Sequence, residues 1–160
     1  MTQPKKAPFA TLVEGWDDVV AGIYSKLPET LRRKVRLEEG RLHFTVRGVG
    51  AAMRHIGADT KFLGCNISPA TRQLLMQPGY DNEHRLIPGR DYELVVYCAE
   101  EIATWSDRTA ANIRNLATTE FGDSADTAPE AEFVFLIRKA FTDAELRMLG
   151  LEYMAVLHSK

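Results

Sequence analysis

Residues 41–47 read Arg-Leu-His-Phe-Thr-Val-Arg. Leu42, Phe44 and Val46 alternate with Arg41, His43, Thr45 and Arg47, the period-two pattern of a strand with one buried and one polar face. Gly48 and Gly50 end it. A strand this well marked, flanked by helical periodicities, makes the fold α+β rather than all-helical.

Upstream, Phe9, Leu12, Val13, Trp16, Val19, Val20, Ile23, Tyr24 and Leu27 recur at three- and four-residue steps. They cover an arc of roughly 140°, the width of a core-facing helix stripe. Thr11 and Glu14 stand at capping-box spacing and Pro28 closes the run, so an amphipathic helix is predicted over 9–27. Asp17 and Asp18 on its polar side argue against a membrane-surface role. A short helical turn, 29–34, leads into the strand.

Downstream, residues 51–66 give little signal. Ser68-Pro69 reads as a helix start and Pro78-Gly79 as its stop. Pro88-Gly89 fits a type II turn, with 84–87 and 92–98 predicted to pair across it as a hairpin. Val95 and Tyr97 make the second face of 92–98 apolar too, which predicts a central strand. A helix is expected from Ser106, as its cap, to Phe121, with Gly122 at its stop. Phe133 to Ile137 is apolar on both faces and reads as a short buried strand. Thr142 with Glu145 forms a capping box, and Phe141 with Leu146 occupies staple positions. After Gly150, residues 151–158 fit either a final strand or a continued helix, and the glycine favours the strand. The expected core unites Trp16, Val20, Ile23, Leu94, Val96, Phe133, Phe135 and Ile137.

The result is an α+β reading: one globular domain over 1–160, with 1–8 a flexible lead. A mixed sheet of about five strands packs against the N-terminal amphipathic helix and two or three further helices. Length and composition agree. The chain has 160 residues, 45% hydrophobic and 26% charged, the balance of a globular domain and not of a disordered one. No apolar run reaches the ~18 residues of a membrane helix, and no signal-peptide pattern opens the chain. Two cysteines cannot build a disulfide framework. These features predict a soluble, cytoplasmic protein.

The net charge of −2 is unevenly spread. Residues 1–60 hold ten Lys/Arg against seven Asp/Glu, whereas 101–160 hold six against ten. Within the basic half, Arg32, Arg33, Arg36, Arg41 and Arg47 are candidates for an anionic ligand or nucleic acid, since guanidinium groups suit phosphate. Few aromatics are interleaved there on which bases would stack. Gly48-Val49-Gly50 has the start of a dinucleotide fingerprint, but Met53 stands where the third glycine belongs, so the pair reads as a turn.

His43 and Thr45 share one strand face, a local pattern that resembles half of the paired His-x-Thr/Ser signature of two-histidine phosphoesterases. The resemblance implies a histidine acting as acid or base beside a phosphate-holding hydroxyl. His158, the candidate second histidine, is followed by Ser159 at the wrong spacing. Neither Cys-x-x-Cys nor His-x-x-x-His occurs, so no metal and no cofactor is predicted. With no complete catalytic constellation, the leading reading is a small intracellular binding or regulatory module acting through a protein partner, with no membrane association. The alternatives are a phosphoesterase-like hydrolase using His43 and Thr45, and anion or nucleic-acid binding through the Arg32–Arg54 stretch.

Overall fold

The structure, a computed structural model, describes residues 10–50, 73, 77, 85–122 and 132–151. Its centre is a three-stranded antiparallel sheet of β1 (Arg36–Glu38), β2 (Arg41–Arg47) and β3 (Asp91–Val95), in that order. Around it lie α1 (Trp16–Ser25), α2 (Glu29–Arg32), α3 (Ala110–Phe121), α4 (Glu132–Ala140) and α5 (Asp143–Met148). The chain is α+β. Among the described residues the sheet has three strands, not about five.

Alternation sorts the sheet into two faces. Leu37, Leu42, Phe44, Val46, Tyr92 and Leu94 fall on one, and β2 packs through it against α1 and α4. Phe44 meets Phe141 edge-on at 5.1 Å, and Tyr92 meets Phe133 at 5.4 Å, an arrangement that aromatic quadrupoles favour. Val20, Phe133 and Ile137 are in this core, with Trp16, Leu94 and Val96 packed against it.

β1 and β2 form a hairpin through Glu39 and Gly40, both at positive φ (49° and 76°). A two-residue loop of this hand matches the twist of the strands it joins. A Cβ at residue 40 would lie 2.6 Å from Asp17 Oδ1, so α1 sits directly on this turn.

Several expectations need correction. α1 begins at Trp16, and Thr11 with Glu14 forms no capping box. Residues 11–13 are extended instead: Val13 N donates to Glu101 O at 2.8 Å and Ala103 N to Thr11 O at 3.0 Å. Gly15, at φ 74°, turns the chain from this ribbon into the helix. Residues 133–137 belong to helix α4, not to a strand. Phe133, Leu136, Ile137 and Ala140 follow helical spacing and share the core, while Glu132 and Arg138-Lys139 suit the positive and negative helix ends. An apolar run buried on more than one side reads alike in either state.

The predicted hairpin across Pro88-Gly89 is also replaced. The turn exists, with Gly89 at φ 76° and Arg90 N donating to Ile87 O at 3.3 Å. However, β3 pairs with β2, and 85–87 is not a strand. Two amides of that segment go to side chains: Leu86 N to Glu132 Oε2 at 2.9 Å, and Ile87 N to Tyr92 Oη at 3.1 Å. β3 is therefore an edge of the described sheet, not its centre. α3 starts later than expected, capped by Thr109, whose Oγ1 accepts from Asn112 N at 3.2 Å. Ser106 lies in a preceding 3-10 turn, Trp105–Asp107.

The end of the described chain follows its signals. Thr142 and Glu145 cap α5 reciprocally. Gly150 (φ 79°) ends it, with Leu151 N bonded to Leu146 O and Gly150 N to Arg147 O, both 2.9 Å. That is the paired 6→1 and 5→2 pattern of a glycine-terminated helix. Residues 152–158 and the predicted helix from Ser68 lie outside the described residues, apart from Gln73 and Gln77.

Candidate functional site

The second face of the sheet is polar. Register sets Arg36 beside His43, Glu38 beside Arg41, Thr45 beside Glu93 and Arg47 beside Asp91. Period two carries every second residue of each strand to this side, and opposite charges on neighbouring strands attract. At its open end Arg47 grips Asp91 through Nε (2.9 Å) and Nη2 (3.3 Å), both residues exposed. That hydrogen bond holds the Asp91 carboxyl below its ordinary range. Exposed pairs of this kind add little stability.

His43 is the middle of the face. Its side chain is only 7% exposed, and its Nδ1 lies 2.7 Å from Glu93 Oε1. An ionised carboxylate has only acceptors, so the proton sits on Nδ1 and is donated to Glu93. Arg36 Nη2 reaches the same oxygen at 2.6 Å and stands 3.6 Å from Glu38 Oε2. The His43 hydrogen bond first, then the Arg36 charge, hold the Glu93 carboxyl below its usual range. Glu38, His43 and Glu93 each offer one donor atom, all within 4.8 Å of one another. Among the described residues, these three are the group able to hold a metal ion. Thr45 is exposed and stands directly opposite Glu93 in the register. His158 lies outside the described residues.

At the closed end, Arg41 is buried between two carboxylates. Nε and Nη2 bind Glu120 at 2.9 and 2.6 Å, and Nη1 binds Glu101. The guanidinium stacks 4.0 Å from the Tyr97 ring centroid, and Tyr97 Oη donates to Glu120 at 2.9 Å. Burial opposes the Arg41 charge, but hydrogen bonds and attraction from Glu120 and Glu101 more than offset it and hold its pKa above the ordinary value. Burial, then the bond to Glu120, push the Tyr97 hydroxyl up as well. Cys98 beside them is pushed up to about 11 by burial, with Glu101 and Glu100 adding to it. A thiol so raised is a poor nucleophile near neutrality. Cys65 lies outside the described residues.

Of the five candidate anion-binding arginines, four face carboxylates. Arg33 pairs with Glu29 on its own helical turn, and Arg36, Arg41 and Arg47 pair across the sheet face. Arg32 is exposed on α2. A cavity of about 10 Å³, just enough for one water, is lined by Trp16, Leu42, Cys98, Glu101 and apolar neighbours, not by His43. Trp16 Nε1 is buried without a hydrogen-bond partner among the described residues.

Glu38, Glu93, Glu101, Glu120 and Tyr97 escaped sequence reasoning. The signal for Glu93 and Asp91 was present: a strand carrying Arg41, His43, Thr45 and Arg47 on one face needs an acidic row opposite. Comparison of the chain with protein-family models, with curated proteins and with solved structures found no match in any of the three.

Proposed function

We propose that the protein is a small cytoplasmic binding or regulatory module that acts on a protein partner without catalytic chemistry of its own. Trp105 carries this reading: its indole stands 81% exposed on the turn before α3. Trp and Arg are the residues most enriched at binding hot spots. Arg108 lies over the indole, 5.4 Å from its centroid, and is itself anchored by Nε donating to Ile102 O at 2.9 Å. A ring held this way loses little freedom on binding. Leu12 and Val13, also exposed, lie on the ribbon paired with 101–103 and add apolar surface. The polar sheet face, by contrast, is largely satisfied by internal pairs. This contrast favours a partner offering an apolar pocket over a polyanion.

Affinity capture from the native cell extract tests it, using the natural chain, Trp105→Ala and Met148→Ala, the last changing another exposed apolar residue. A partner held by the first and third, and at least ~25-fold weaker with Trp105→Ala, is expected for a hot spot of ~2 kcal/mol. A partner that binds Trp105→Ala as tightly as the natural chain overturns the reading.

A second reading, hydrolysis of a phosphodiester through His43 and Thr45, draws on the His43–Glu93 bond, because a carboxylate on one imidazole nitrogen orients the other for proton transfer. A phosphodiesterase screen should then show His43→Ala slower by ~10²-fold. Equal background in both proteins ends it.

A further inference from the structure

We infer that Glu38, His43 and Glu93 form a site for one divalent transition-metal ion, with zinc the ion their chemistry fits best. The inference is independent of the Trp105 surface. Each of the three strands supplies one ligand, so the fold itself, not a local motif, assembles the set. An imidazole with two carboxylates is an intermediate N/O donor set. It suits Zn²⁺ better than Ca²⁺ or Mg²⁺, which take oxygen ligands almost alone.

One pair already stands near the spacing zinc requires, and the Glu38 donor lies within 4.8 Å of both. Bonds of ~2.0–2.2 Å meeting at 90–109° put neighbouring donors about 2.9–3.5 Å apart. His43 Nδ1 and Glu93 Oε1 are 2.7 Å apart, so the pair must open by only a few tenths of an ångström. His43 is the anchored member, held by burial on the central strand. Glu38 and Glu93 are 56% and 52% exposed and free to adjust. Binding puts the metal on Nδ1 and moves the ring proton to Nε2, the other tautomer of the neutral imidazole.

Arg36 is the competitor. Its guanidinium contacts Glu93 and approaches Glu38, supplying the positive charge that the metal would supply. It is half exposed and can swing outward without leaving a buried charge behind. Removing it leaves two carboxylates and an imidazole with no cation among them. The metal should therefore bind more tightly to Arg36→Gln than to the natural chain, a direction opposite to that of a general loss of structure.

The test is calorimetric titration of the natural chain with ZnCl₂, followed by Arg36→Gln, Glu38→Gln and His43→Ala. Saturable uptake of one equivalent is expected, with nitrogen-15 spectra showing the His43 ring proton leave Nδ1 and appear on Nε2. Arg36→Gln should bind on the order of tenfold more tightly, the scale of one relieved like-charge contact near a surface. His43→Ala should lose more than ~100-fold, beyond the ~10–100-fold that changing a group behind a ligand costs. Glu38→Gln, conservative and at an exposed strand end, serves if His43→Ala fails to fold, and should also weaken binding. No uptake by the natural chain, or equal uptake by it and Glu38→Gln, overturns the site. So does a spectrum in which Nδ1 keeps its proton in the presence of zinc.

Discussion

Replacing Arg41 with methionine tests how much of the fold rests on one buried charge. Methionine keeps much of the stem that packs along Tyr97 and removes the guanidinium. The two abandoned carboxylates differ. Glu120 is about one-third exposed and can take water in place of its two bonds, so its loss costs little. Glu101 is 3% exposed and cannot. It keeps the Cys98 N–H at 2.9 Å, but its charge is left without a counter-charge and away from bulk solvent. Breaking a buried pair in this way costs about 3–5 kcal/mol, a large share of the ~5–15 kcal/mol that holds a domain together. Urea unfolding at neutral pH reads the loss. The decisive comparison adds Glu101→Gln to the same chain. The double variant has no orphaned charge and should regain ~2 kcal/mol over Arg41→Met alone, within the ~0.5–3 kcal/mol coupling expected of direct contacts. A single variant less than ~1 kcal/mol below the natural chain, or a double variant no better than the single, would refute the account.

Two further outcomes follow from the same geometry. Glu93 and Glu145 have carboxyls lowered from the ordinary 4.5, by His43 and by Lys34 respectively before smaller contributions. A depressed carboxyl stabilises the fold above its unfolded value and loses that contribution as pH falls through the folded one. Stability should therefore hold above about pH 4.5 and decline below it, and Glu93→Gln or Glu145→Gln should flatten that acid limb in urea midpoints taken from pH 3 to 7; an unchanged limb contradicts the assignment. Gly40→Ala meets a positive φ and the Asp17 carboxylate at 2.6 Å; it should cost about 1–2 kcal/mol for the left-handed backbone, with Asp17→Ser relieving only the contact. Equal denaturation midpoints for natural and Gly40→Ala chains would remove the turn from the account.

What could be read from the chain tracks how local the information is. Strand 41–47, the α5 capping box and the Gly150 stop are fixed by neighbours within a few residues, and all three stand. α1 and α4 were misjudged for a different reason. Residues 11–13 satisfy a helical stripe, yet their hydrogen bonds go to 101–103, some ninety residues away. Residues 133–137 lack a polar face because α4 is buried on several sides, with Phe135 as inaccessible as Phe133; periodicity needs a solvent side to be visible. The β2–β3 pairing was hidden by distance as well. The nearer candidate, 84–87, is the tempting partner, but the Leu86 and Ile87 amides are taken by Glu132 and Tyr92. The candidate site suffers most from this, since Glu38, His43 and Glu93 meet only once three strands are in register.

The uneven charge of the chain bears directly on function. A basic N-terminal half and an acidic C-terminal half suggest, on sequence alone, a surface prepared for a charged partner. In the fold the two halves meet. Arg41 closes on Glu101 and Glu120, Lys34 donates to Glu145 at 2.9 Å, and Arg36 reaches Glu93. Much of the asymmetry is consumed in holding the sheet to the helices around it. A partner steered mainly by charge would have to compete with those carboxylates for each guanidinium, and only Arg32 of the five candidates has no carboxylate partner among the described residues. The indole of Trp105 has no carboxylate to displace, and its contact with Arg108 leaves the residue 81% exposed. That difference, more than any motif, is why the apolar surface at Trp105 is the better-supported place to look for a partner.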